Sequence, residues 1–204
     1  EASLILTGQS KTDVDWIASK FYGIEQGDVN KLWAVEGSVT PSAGEIVIDA
    51  HFALHDEINM EIGDTIDIIV GEEGVQTFTV IGIANSPLEL FYANPDSLLP
   101  QESTYVVAYM DAEVLAEVSG NEPLARNTLN IDLLGTPEFD FSDTEEIEGL
   151  ALQQIKGTLE QGMNASETDG YVLDRGQLSA ELLRLDKDAL SKAIPFILGI
   201  LLFI

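Results

Sequence analysis

The chain has no cysteine among its 204 residues, which excludes a disulfide framework and a cysteine nucleophile. Basic residues are scarce. Nine Lys and Arg stand against 36 Asp and Glu, for a formal net charge of −27. Phosphate contacts need clustered Lys and Arg, so the balance excludes nucleic acid as a partner and repels anionic lipid headgroups. No Gly-x-Ser-x-Gly elbow occurs, and no Gly-x-x-x-x-Gly-Lys-Ser/Thr loop, so a hydrolase serine of that type and ATP binding by this polypeptide are both excluded. No charged and then apolar leader stands at Glu1, so any segment that inserted the protein in a membrane is expected upstream.

A full-length apolar span is also lacking, but part of one is present. Residues Ile194 to Ile204 carry no charged or hydrogen-bonding side chain, whereas a bilayer-spanning helix needs roughly 20 apolar residues. A segment apolar on every side is either wholly buried or in lipid. The run therefore reads as the start of a transmembrane helix (residues 194–204), with a water-exposed domain before it. Charge placement agrees: residues 171–204 hold four bases and four acids, so the preceding 170 residues carry the whole −27. A neutral segment suits approach to lipid, and an acidic body suits salt-rich or extracellular water. Asn164-Ala165-Ser166 is a glycosylation sequon and fits an exterior location.

Pattern and punctuation predict an α+β chain. Residues 12–22 read as a short helix capped by Thr12 or Asp13, with Val14, Ile17 and Phe21 on one face. A strand is expected over 31–40 and another over 44–49, where Asp49 caps a helix from Ala50 to Met60. Strands are then expected at 66–70 and 76–83, separated by the turn Gly71–Gly74, and at 104–108, followed by a helix capped at Asp111. Alternation over 128–134 predicts a half-buried strand with Leu129, Ile131 and Leu133 inward. Six acids over 138–148 open a helix whose apolar positions include Ile155 and Leu159. Tyr171–Leu173 reads as a last strand and 177–193 as an amphipathic helix. The order suggests a porter-like layer of βαβ-type units (1–40 and 104–193) interrupted by a small β-rich, barrel-like subdomain (41–103).

The phrases Gly44-Glu-Ile-Val-Ile-Asp-Ala-His-Phe-Ala-Leu54, Ile62-Gly-Asp-Thr-Ile66 and Phe78-Thr-Val-Ile-Gly-Ile83, with the tail Asp174 to Asp186, resemble the extracytoplasmic domain of FtsX-like and MacB-like ABC transporter permeases. The resemblance covers roughly residues 35–204. It implies the loop between two membrane helices at the cell membrane, the first helix lying before Glu1. It also implies a separate cytoplasmic ATPase subunit, a dimeric permease whose isolated domain is monomeric, and no cofactor or catalytic centre on this chain. Under that reading Leu185, Asp186, Leu190 and Pro195 couple the domain to the membrane helix, since proline is tolerated in a helix's first turn. The alternative is a sensor or adhesion domain on a single anchor.

Few residues suggest chemistry. His51 and His55 stand four apart on the expected helix, a spacing that can hold a metal, but the Glu of the metalloprotease motif is missing, so solvated or packed imidazoles are the preferred reading. The acids of 138–148 lack a calcium-loop pattern. Gly63 and Asp64 read as a structural turn, Gly for its conformational freedom and Asp as an acceptor for backbone N–H groups. Trp33, Phe91 and Tyr92 form either a contact patch or, preferentially, part of the core.

Overall fold

The computed structural model describes residues 2–12, 15–25, 29–89, 103–131 and 150–165. It divides into a unit of residues 1–132 and a second of residues 133–204.

The first unit begins with β1 (Ala2–Lys11) and β2 (Trp16–Ile24), a hairpin in register from Leu4↔Gly23 to Lys11↔Trp16. Of the helix expected over 12–22, the residues from Trp16 onward are strand. Thr12 N–H donates to the Asp15 carbonyl at 2.9 Å and the Thr12 hydroxyl accepts from Asp15 N–H at 3.1 Å, so Thr12 closes a hairpin instead of capping a helix. Trp16, Ile17, Phe21 and Tyr22 are strand formers once a partner strand supplies the hydrogen bonds. Ser19 and Phe21 are buried two apart, which is strand periodicity.

The remaining strands of this unit are β3 (Trp33–Gly37), β4 (Glu45–Asp49), β5 (Thr65–Ile69), β6 (Val75–Asn85), β7 (Tyr105–Asp111) and β8 (Thr128–Leu129). Pairing runs β2-β7-β4-β6-β5-β1, and β1 also pairs β2, so six strands close on themselves. β3 is attached outside the ring to β6, and β8 to β1. The sheet is mixed: β2 with β7 and β4 with β6 are parallel, and the other pairs are antiparallel. The strands of 41–103 bond directly to strands outside it, β4 to β7 and β5 to β1.

Helices are few. Asp49 caps α1 (Ala50–Ala53), which stops well short of Met60. The chain instead turns back, with Ile58 and Asn59 N–H both on the His55 carbonyl and Met60 N–H on Ala53. Asn59 takes a left-handed φ of 46°, a conformation that Asn tolerates and a helix does not. Asp111 caps α2 (Ala112–Val118), its carboxylate accepting from Glu113 and Val114 N–H. In the second unit, α3 (Leu150–Ala165) starts after the acids of 138–148, which lie outside the described residues. Ile155, expected on an apolar face, is exposed. β8 is shorter than expected, and Leu129 and Ile131 are exposed, not buried. Its approach to β1 is set by Asn127, whose amide accepts from Ile5 N–H at 2.8 Å and donates to the Ile5 carbonyl at 2.6 Å.

The core fills the ring with Phe21, Ile46, Ile48, Ile68, Val80, Ile83, Val106 and Met110, all fully buried. Each such side chain contributes about 1.5–3 kcal/mol of transfer free energy. Ring closure depends on a close approach. At Gly8 a Cβ would lie 2.2 Å from the Ile69 carbonyl oxygen and 3.0 Å from the Phe21 ring, next to the pairs Gln9↔Ile69 and Ser10↔Ile68 that join β1 to β5. Gly8→Ala is expected to push β1 off β5 and cost roughly 1–3 kcal/mol, read as a lower urea midpoint. Gly157→Ala, in α3 with nothing near the added methyl, is expected to raise helix stability by up to about 1 kcal/mol. Equal effects at the two positions would refute the packing account of Gly8.

Candidate functional site

Register places two tyrosines side by side. Tyr22 of β2 and Val47 of β4 both stand opposite Tyr109 of the intervening β7, and the rings of Tyr22 and Tyr109 stack with centroids 5.4 Å apart and an interplanar angle of 20°. Asp49 lies two residues beyond Val47, on the same face of the strand. Its side chain is fully buried, and it accepts from the Tyr109 hydroxyl at 3.0 Å, His51 N–H at 3.0 Å and His51 Nδ1 at 2.7 Å. A carboxylate can only accept, which assigns the imidazole proton facing it to Nδ1.

The other end of the tyrosine stack has its own carboxylate. Glu89, 6% exposed, accepts on Oε1 from the Tyr22 hydroxyl and, at 2.7 Å, from Lys20 Nζ. The Lys20 ammonium also sits 4.8 Å from the Tyr22 ring centre, within cation–π range. Ser86, where the segment leading to Glu89 begins, is buried and accepts from Leu88 N–H at 3.1 Å. A polar seam thus runs His51, Asp49, Tyr109, Tyr22, Glu89, Lys20. Its two nitrogen-bearing ends are partly solvated, with side chains 34% and 27% exposed, and its carboxylates are inside.

The arrangement follows from desolvation. An unpaired buried carboxylate is very costly, and one that holds several charge-assisted hydrogen bonds is tolerated. Burial and the neighbouring carboxylates, Glu89 for Tyr22 and Asp49 for Tyr109, push both phenols well above the ordinary tyrosine range. Both therefore stay protonated and act as donors. The seam ties β2, β7, β4 and the 86–89 segment together through side chains, in addition to the sheet.

Sequence reasoning found Asp49 as a cap and missed the seam. Lys20 and Tyr22 belong to β2, Glu89 follows β6 and Tyr109 belongs to β7, and only strand register brings them together. His51 and His55 do not share a helix face, because α1 ends at Ala53. His51 pairs with Asp49, and the His55 Nδ1 accepts from Glu57 N–H at 3.3 Å. Among the described residues no group of three or more His, Cys, Asp and Glu is placed to hold a metal. Gly63 adopts φ 97° and Asp64 accepts from Glu61 N–H at 2.8 Å, in the turn before β5. Asn164 is exposed on α3. Leu185, Asp186, Leu190 and Pro195 lie outside the described residues, as do Phe91 and Tyr92. No described helix is long and apolar enough to cross a membrane.

Asp49→Ala is expected to cost about 3–5 kcal/mol in urea unfolding, because it strands the buried Tyr109 hydroxyl and uncaps α1; Asp49→Asn, which keeps one acceptor oxygen, is expected to cost less. The tyrosines supply a pH prediction. Their folded pKa values lie above the unfolded value of about 10, so above that pH the unfolded chain releases protons that the folded chain retains. Their contribution is complete below about pH 10 and is lost as pH rises beyond it. Ultraviolet titration of the folded protein should show at least two of its five tyrosines ionising only on alkaline unfolding. Normal titration of all five would contradict the seam.

No protein-family model matches the chain, and no curated protein matches it. Among solved structures it is similar to the extracellular domain of the noncanonical ABC-type transporter YknZ from Gram-positive bacteria, at 17% identity and a TM-score of 0.42, over 59% of this chain and 57% of that one. It is also similar to the periplasmic region of MacB from Actinobacillus actinomycetemcomitans, at 13% identity and a TM-score of 0.40, over 83% of this chain and 76% of that one. The chain thus spans less than two thirds of the length of the first.

Proposed function

We propose that the chain is the extracytoplasmic domain of an ABC transporter permease, carrying membrane-helix motion driven by a separate cytoplasmic ATPase to a substrate or partner outside the membrane. The observation that carries this reading is the placement of the motif residues. Gly44 to Leu54, Ile62 to Ile66 and Phe78 to Ile83 are separated in sequence, yet they form β4 with α1, the turn into β5, and β6, and β6 pairs with both β4 and β5. The resemblance therefore maps onto one contiguous patch of sheet. The apolar run 194–204 and the neutral charge of 171–204 supply the membrane side of the reading.

In this account Leu185, Asp186, Leu190 and Pro195 form the joint between domain and membrane helix, the permease works as a dimer through its membrane helices, and the domain itself performs no catalysis. The ring and its seam act as the stiff body that the joint moves. The test is co-purification of the full-length protein, solubilised from its native membrane. Stoichiometric recovery of an ATPase carrying a Walker loop is expected. Recovery of the protein with no ATPase would sink the proposal and leave the single-anchor sensor or adhesion domain in its place.

A further inference from the structure

β3 differs from every other strand of the ring unit. All five of its residues are exposed, including Trp33 at 61% and Val35 at 49%, although tryptophan is among the costliest residues to leave in water. Among the described residues it pairs with β6 alone, so its other edge offers unpaired backbone groups. A register shift between Ala34 and Glu36 makes a bulge at Val35. Bulges on edges commonly deflect unwanted pairing, but protected edges carry charged side chains rather than an exposed Trp and Val. At the Gly37 end the strip continues into exposed Ile62, whose Cδ1 lies 3.0 Å from where a Gly37 Cβ would be.

The rim of this strip is acidic. Glu36 lies within it, and Glu61 and Asp64, both exposed, flank Ile62. A second copy of the chain would bring a net charge of −27 against the same acids, and like charge opposes that pairing. We infer that β3 is a docking edge for an extended segment of another protein that carries both apolar and basic side chains, which adds as a strand beside Trp33–Gly37. Backbone hydrogen bonds would supply affinity, Trp33, Val35 and Ile62 the apolar contact, and Glu36, Glu61 and Asp64 the choice of a basic partner. This inference does not depend on the transporter reading.

The probe is a short alternating Val–Lys peptide titrated into the isotopically labelled chain, with an alternating Val–Glu peptide for comparison. Saturable amide shifts and slowed amide exchange confined to 33–37 and 61–64 are expected for Val–Lys, with affinity at least about tenfold weaker for Val–Glu and falling as salt rises. Ala34→Pro, which removes a backbone donor on the open edge, should abolish binding. Glu36→Lys, which leaves the backbone intact, should weaken Val–Lys by roughly threefold or more and improve Val–Glu. No saturable binding, equal binding of both peptides, shifts located elsewhere, or peptide-free dimerisation through β3 in sedimentation would each overturn the proposal.

Discussion

The burial of Asp49 is the constraint on which the rest of the ring unit turns. A carboxylate with no exposed surface must be given partners from more than one element, and here they come from α1 through two nitrogens of His51 and from β7 through Tyr109. Meeting that need fixes the level of β4 against β7. Tyr109 in turn stacks on Tyr22, which places β2, and Tyr22 reaches Glu89, which anchors the chain after β6. Hydrophobic burial would accept several neighbouring registers at similar cost, since each strand concerned carries more than one small or β-branched apolar residue. The polar seam accepts one, because a one-residue slip would turn Tyr109 to the opposite face and leave Asp49 without it.

Most of the local structure between 33 and 118 was readable from the chain, and the reasons are local. β4, β5, β6 and β7 are short β-branched or aromatic runs bounded by Gly or Asp, and both Asp49 and Asp111 do cap helices. The failures share a cause, namely that a tertiary partner outweighed a local preference. Thr12 with Asp15 offers a helix cap or a hairpin turn equally well, and β1, which has no strong pattern of its own, decided for the hairpin. The helix from Ala50 looked sustainable to Met60, but the chain turns back so that Met60 N–H reaches Ala53. Trp33 was assigned to the core by its chemistry, and the structure leaves it in water. The closed ring was the least readable feature, because the pairs Gln9↔Ile69 and Ser10↔Ile68 span about the whole distance from β1 to β5 and are marked in sequence only by Gly8.

The seam and the docking edge are at opposite extremes of the same unit's energetics. In the seam, polar groups are inside and satisfied, so the strands they join have little freedom to slide. At β3, apolar groups are outside and a strand edge is unpaired, a state that costs stability unless something covers it. Folding alone does not account for β3, since the ring closes without it.

Rigidity and an open edge make a consistent pair for a unit that has to hold a bound strand in a fixed position. A sheet with free edges along its length can shear, whereas six strands closed on themselves must deform every pairing to do so. The closure at Gly8 and the lock at Asp49 bear on the same property by different means, one steric and one electrostatic. A load applied anywhere on the ring would reach β3 as displacement of the whole ring rather than being absorbed in the sheet. The partner strand would then experience a change of position, while its own pairing to Trp33–Gly37 stayed intact.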